Sequence, residues 1–484
     1  MSLPRGREQD LEHLLRRAGF GATQQEVDNL VEIGYRRAVD QLVDHDQLVD
    51  DVDQYLQKPG YVGVTSRGPF SPNTVINDAR QRWLFRMVHS QRPLEEKMTL
   101  FWHNHFATAF SKIAGAAGSI PAARMMAAKP SEDPAGVRGH LEVLRHHALG
   151  NFQDLLLEVT RDPAMLFWLD GRTNVRNRPQ ENYARELMEL FTMGVGTFGE
   201  ADVYAGARVF TGWNVQRQGS GETTYFRFAY NPGQHDTSAK EFSFPISPDG
   251  GRRIPARSAA DGMQDGLDLL AAVTRHPETG RRLARKLWGY FVSETDAPDE
   301  RWVGELTSTF EAGRFEIKPL LRRIFTSPEF RDAQHARYSW PVEFVVRGLK
   351  EVGWVGFSLG DALTPLTNMG QQLLEPPDVN GWDLGRGWFS SGTVLARMNF
   401  AAQLATNQKF RLRDASRPYG GTPESLLSFV LDRLTPAELD RDVRRALLEY
   451  LGSGSAWNGG DAQLLQKTAG LVHLLVGAGE YQLV

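Results

Sequence analysis

Four short segments hold side chains that can bind a metal, move a proton or grip a charged group. The first, Phe101-Trp-His-Asn-His-Phe106, contains the chain's one H-x-H pair, His103 and His105. Imidazoles two residues apart are a recurrent metal-ligand pattern. In a helix, positions two apart differ by about 200°, so both rings face one ion only where the helix ends. The competing expectation is a core histidine bonded to a carbonyl.

The second segment is Gln180-Glu-Asn-Tyr-Ala-Arg-Glu-Leu-Met-Glu-Leu-Phe-Thr-Met-Gly194. As one helix it places Tyr183, Leu187, Leu190 and Phe191 on one face, with Asn182, Glu186, Glu189 and Met193 on the next. Carboxylates at i and i+3 can share a cation, or act as acid and base if their pKa values are split. A solvated face with Arg185 as intrahelical partner is the plainer outcome. The polar lead-in Asp170 to Asn174 predicts a turn beside this helix. The third segment, Gln234-His-Asp-Thr-Ser-Ala-Lys240, offers His235, Asp236 and Lys240 as a metal site or an oriented base. The fourth, Glu375-Pro-Pro-Asp-Val-Asn-Gly-Trp382 continuing to Trp388, is an aromatic loop on Pro and Gly, expected to plug a core rather than to bind a glycan or peptide.

The elements that position these residues are mostly helical. Apolar spacing predicts helices near Val75–Val88, Pro93–Phe106, His140–His147, Phe152–Thr160, Asp261–Arg275, Gly280–Val292, Asp299–Ala312 and Lys318–Thr326. Others are predicted near Glu424–Arg433, Asp440–Leu451 and Asp461–Leu475. Thr23 and Glu26 form a capping box before Val27, Leu30 and Val31. The small-residue run Ala107 to Ala128 reads as a loop with short helical pieces. Alternation such as Thr223-Thr-Tyr-Phe-Arg-Phe228 marks a β-hairpin insert. The fold class is therefore mainly α, a multi-helix body with a small antiparallel hairpin around residues 211–255. Its organisation is an N-terminal helical segment (1–57), a central body with the candidate site (74–210), the β-rich insert (211–255) and a C-terminal helical part (256–484) with the Trp/Pro/Gly loop at 375–393.

Composition narrows the function classes. The 484 residues carry 55 Lys plus Arg against 59 Asp plus Glu, a formal charge of −4, which argues against a nucleic-acid binder. With no Cys, disulfide scaffolds, thiolate zinc sites and Cys nucleophiles are excluded. No stretch of about 18 uncharged apolar residues predicts a membrane span. The start lacks the apolar core of a secretory signal, so the chain as written reads as cytoplasmic. There is no G-x-S-x-G, Walker A, Rossmann fingerprint, H-E-x-x-H or EF-hand loop.

Taken together, the motifs resemble a bacterial family known as domain of unknown function 1800, over about His13 to Asn399. They are His13-Leu-Leu-Arg-Arg-Ala-Gly-Phe-Gly-Ala-Thr23, the 101–106 segment, Met165-Leu-Phe-Trp-Leu-Asp-Gly171, Glu181 to Phe191, Phe210-Thr-Gly-Trp213, His235-Asp236 with Lys240, and the Pro376-Pro377 to Gly381-Trp382 loop. The chain departs from the family at Gln180, where Asn is usual, and at Asp383-Leu384-Gly385, where Pro-Gly-Gly is usual. The resemblance implies no reaction. It does imply export or a periplasmic location if a signal was trimmed, and a protein partner in the cell envelope.

The expected function is a metal-dependent hydrolase with its site between the helical body and the β insert. His103, His105, Glu186, His235 and Asp236 would hold a divalent metal ion of unspecified identity that polarises substrate and bound water. Glu186, Glu189, Arg185 and Lys240 would be the catalytic groups, and the substrate a small molecule, glycan or peptide. One alternative is a non-catalytic scaffold in which these residues form a buried, satisfied network and the Trp loop docks a partner. Another is a metal-free glycosidase using Glu186 and a second carboxylate.

Overall fold

The computed structural model describes residues 7–354, 356–435 and 437–484. The first six residues of the expected N-terminal helical segment therefore lie outside the described residues. Twenty-three α-helices and two antiparallel two-stranded sheets are found among the described residues. The fold is mainly α with a small hairpin.

Helices begin where the capping residues require. Thr23 and Glu26 satisfy each other's backbone amides at the head of Gln24–Ile33, with the Thr23 amide 2.6 Å from the Glu26 carboxylate. Asp299 and Asp440 cap Glu300–Ala312 and Arg441–Gly452 in the simpler way. Each such cap contributes about 1 kcal/mol. The small-residue run is more helical than expected. It forms Phe110–Ala117 and Ser119–Ala127, broken at Gly118, whose φ is +89°. Alanine's high helix propensity accounts for the two helices, and glycine's tolerance of positive φ for the break.

The hairpin pairs Trp213–Gln218 with Tyr225–Tyr230, Trp213 opposite Tyr230. A second short pair joins Lys240–Glu241 to Arg253–Ile254. The insert seats closely on the helix Met263–Arg275: a Cβ added at Gly266 would lie 2.2 Å from the Trp213 indole. One continuous cluster of buried apolar side chains runs from Leu11 to Tyr481, so the chain segments share a core.

At the centre, Ile76–His89 packs against both Pro93–His105 and Pro341–Val352. The helix Pro277–Phe291 packs against Met263–Arg275 and Glu300–Ala312. The longest helix, Ser391–Ser416, lies along Asp461–Gly477. Among the described residues, no helix is long and apolar enough to cross a membrane.

Candidate functional site

The last turn of Pro93–His105 carries three successive polar side chains that point to three different neighbours. His103 is fully buried, and its Nε2 accepts from the Leu374 amide at 3.2 Å. Its ring meets the edges of Trp83 and Trp382, with centroids 5.4 and 5.3 Å away. Burial, helped by His140, pushes its pKa down to about 3, so the ring is neutral. Asn104 Oδ1 accepts from the Trp382 amide at 2.7 Å. His105 Nε2 donates to the Phe191 carbonyl at 3.0 Å, which leaves Nδ1 to accept from Lys286 Nζ at 2.9 Å. Burial and the nearby Lys286 and Arg282 charges hold His105 well below its ordinary pKa. The two rings thus diverge, as helical geometry demands. The motif pins the start of the Trp loop, the loop's Trp382, and the second motif.

That second motif departs from the single helix expected. An α-helix covers Asn182–Glu186, and Leu187–Phe191 then widens into a π-turn. Thr192 Oγ1 donates to the Leu187 carbonyl at 2.5 Å, and the Gly194 amide donates to Met188 at 2.9 Å. The last carbonyls of a helical element have no following turn to serve and take other partners. Here the Leu190 and Phe191 carbonyls receive Arg282 Nε, at 3.3 Å, and His105. Tyr183, Leu187 and Phe191 are buried as predicted, and Asn182 reaches Asp170 of the predicted turn at 3.4 Å. Arg185 lies toward solvent, bonded to Glu200 at 2.8 Å and to Glu181 at 3.3 Å.

Glu186 and Glu189 are half-buried beside this turn. Burial and the Glu189 charge raise the Glu186 pKa, with Arg185 opposing. A raised carboxyl pKa penalises the folded state once the group ionises, so stability falls as pH rises through it. Glu186→Gln should therefore raise the melting temperature at pH 7 by about 1–2 °C, with the gain gone by about pH 4. Melting curves of both proteins across pH check this, and a loss at pH 7 would contradict it.

Between the end of Pro93–His105, the helix Pro277–Phe291 and the Trp loop lies a cleft of about 590 Å³. His105, Arg282 and Lys286 line it together with Phe101, Tyr290, Trp382 and the carboxylate of Glu278. Arg285, at the rim, is bonded to Glu300 at 2.8 Å. Arg282 and Lys286 have no carboxylate within ion-pair distance among the described residues. Desolvation lowers the pKa of both, with the Glu189 charge opposing at Arg282; the Lys286 amine, with Arg282 adding, comes down to about 7. Like charges four residues apart on a helix repel, so an unpaired couple carries a cost that an anion would relieve. Sequence reasoning missed both residues. The available signal was the cation surplus of Arg281, Arg282, Arg285 and Lys286 against one acid, Glu278, in the same helix.

The third motif belongs to a different place. His235 and Lys240 are buried around Asp265, a fully buried carboxylate that no sequence motif singled out. Lys240 Nζ meets Asp265 Oδ2 at 2.5 Å, His235 Nε2 meets the same oxygen at 3.3 Å, and Arg257 meets Oδ1 at 2.8 Å. His235 Nδ1 bonds the Thr211 carbonyl at 2.9 Å, so both ring nitrogens face acceptors. Asp236 holds Arg208 at 2.8 Å, and its pKa is pulled down because bonds from Arg208 and Ser238 outweigh the opposing effect of burial.

No three of His103, His105, Glu186, His235 and Asp236 bring ligand atoms within 4.8 Å of one another. The expected ligand set therefore does not fit one divalent ion, because the five side chains do not converge: His105 is bound to Phe191 and Lys286, His235 to Thr211 and Asp265, and Asp236 to Arg208. Among the described residues the one group close enough is Asp50, Glu95 and Glu96. Arg86 already crosses it, 2.8 Å from Asp50 and 2.6 Å from Glu96, and Arg145 meets Glu96 at 2.9 Å.

The loop's Trp382 and Trp388 are both buried, as a core plug requires, although Trp382 also walls the cleft. A family model described as Protein of unknown function (DUF1800) matches residues 13–483. No curated protein and no solved structure matches the chain.

Proposed function

Because the chain belongs to the family described as Protein of unknown function (DUF1800), a description that carries no reaction, we propose its function from the cleft: an enzyme acting on an anionic organic molecule. The observation that carries this reading is the pair Arg282 and Lys286, which face the cleft without a carboxylate partner among the described residues. The volume, about 590 Å³, lies in the range of small-molecule sites. Arg282, held by the Leu190 carbonyl through Nε, keeps its terminal nitrogens for a carboxylate or phosphate. Phe101, Tyr290 and Trp382 supply a face for an apolar or sugar ring. Lys286, at a pKa of about 7, can give or take a proton at neutral pH.

A metal-dependent hydrolysis draws no support from the donor set, since both His105 nitrogens are engaged and Glu278 is the one carboxylate among the residues lining the cleft. The expected preference is for aryl anions over their neutral counterparts. In titration calorimetry, phenyl phosphate and phenylacetate should bind while benzyl alcohol does not. Arg282→Ala should weaken both anions by about tenfold or more, the usual worth of a charged hydrogen bond. Equal binding of the neutral alcohol, or anion binding untouched in Arg282→Ala, would overturn the reading.

A further inference from the structure

We propose that Lys286 is a nucleophile that forms an imine with an aldehyde or ketone carrying an anionic group, a substrate class narrower than, and resting on, the anion-binding reading above. The geometry supplies the parts. Lys286 Nζ opens on the cleft, its neighbour His105 offers a lone pair rather than a charge, and no carboxylate among the described residues fixes it as an ammonium. The tautomer of His105 is set from behind. Its Nε2–H is committed to the Phe191 carbonyl, so Nδ1 can only accept, and it orients one N–H of the amine while leaving the nitrogen lone pair free to point elsewhere. His105 is thus a positioning residue. Arg282, one helical turn away on the same helix and held by Leu190, would grip the anionic group and so place the carbonyl next to Nζ.

Desolvation by burial, with the Arg282 charge beside it, brings the amine down to about 7, which leaves much of it as free base at neutral pH. The step balances without any oxidant or reductant. The amine lone pair attacks the carbonyl carbon while the C=O π pair moves to oxygen, and a proton passes from nitrogen to that oxygen to give a carbinolamine. The C–O bond then breaks as the nitrogen lone pair forms C=N, and the hydroxyl leaves as water after taking one more proton. Loss of the remaining N–H proton gives the neutral imine, so amine and carbonyl become imine and one water.

Pyridoxal 5′-phosphate, used only as a probe, unites an aldehyde, an aromatic ring and a phosphate. Incubation with the full chain followed by borohydride should leave one stable label on the peptide containing Lys286, identified by mass spectrometry. Phenyl phosphate should protect against it, and pyridoxal, which lacks the phosphate, should label at least about tenfold more slowly, as expected if Arg282 holds the phosphate. Lys286→Arg, which keeps the positive charge, should abolish this label while its far-ultraviolet circular dichroism matches that of the parent. Labels spread over surface lysines without preference for Lys286, alongside intact phenyl phosphate binding, would overturn the imine and leave the anion-binding reading standing. Absence of both labelling and phenyl phosphate binding would overturn the two together.

Discussion

Asp265→Ala is expected to lower the free energy of unfolding by about 3–5 kcal/mol, the usual cost of removing one partner from a buried ion pair. Asp265 is fully buried and accepts from Lys240, His235 and Arg257. Burial works to raise its pKa, but the bonds from His235 and Lys240 outweigh that and hold it below the ordinary carboxylate range. A depressed carboxyl contributes stability at pH values above its unfolded pKa, and that contribution is lost as pH falls through the folded one. The parent should therefore weaken in acid, while Asp265→Ala should lose much less on acidification. In the variant, Lys240 stays buried with only the Asp236 carbonyl as partner. Denaturant unfolding of parent and variant at neutral pH and near pH 3 checks both effects. An Asp265→Ala protein as stable as the parent would return His235 and Lys240 to the pool of site candidates.

The second large effect is expected at Gly381, whose φ of +85° lies in the left-handed region. An alanine there pays about 1–2 kcal/mol for that conformation alone. Its Cβ would also stand 2.3 Å from Asn104 Oδ1 and 2.5 Å from the Asn104 carbonyl oxygen, and a backbone atom cannot swing aside. The loop must lift, breaking the 2.7 Å bond between the Trp382 amide and Asn104 and drawing Trp382 off the cleft wall. Gly381→Ala should therefore reduce phenyl phosphate affinity by about tenfold or more, the scale of losing an aromatic wall contact and its desolvation. Far-ultraviolet circular dichroism should be nearly unchanged, since Gly381 itself lies outside every helix among the described residues. Calorimetry on the variant tests this, and parental affinity would show that Trp382 does not shape the site.

Much of the architecture was legible because most helices have one buried face. Met263–Arg275, Glu300–Ala312 and Ile317–Thr326 bury residues three and four apart along one face and expose the other, which the apolar spacing reports directly. Pro341–Val352 was not predicted, for the opposite reason. Every residue in it is buried, including Glu343, Arg347, Lys350 and Glu351, so no polar face exists to give a period. In the Ala107–Ala128 run the expected short helical pieces are present, but they fill most of the stretch because alanine's helix propensity outweighs the glycines. The π-turn was invisible, since a widened turn leaves the residue types of a helix unchanged.

At the site, the sequence identified the motifs but not their pairings. His105 was named as a ligand, yet its partners come from Phe191 and from Lys286, far along the chain. His235 and Lys240 looked like a site because the carboxylate they serve, Asp265, lies outside any motif and within an ordinary helix. Arg282 and Lys286 read as the polar stripe of an amphipathic helix, and only the packing of that helix against the 101–106 segment turns the stripe toward a cleft.

The widened turn at Leu187–Phe191 makes the cleft sensitive to chain length rather than to residue identity there. Two of its groups, Arg282 and His105, hang on the Leu190 and Phe191 carbonyls, the last two of the element, which have no following turn to serve and whose direction the widened turn sets. Exchanges among side chains of similar volume within these five positions leave that spacing intact. Loss of a single residue would turn both carbonyls by about 100° around the helix axis, displace both anchor points at once and detune a site whose own side chains were all still present.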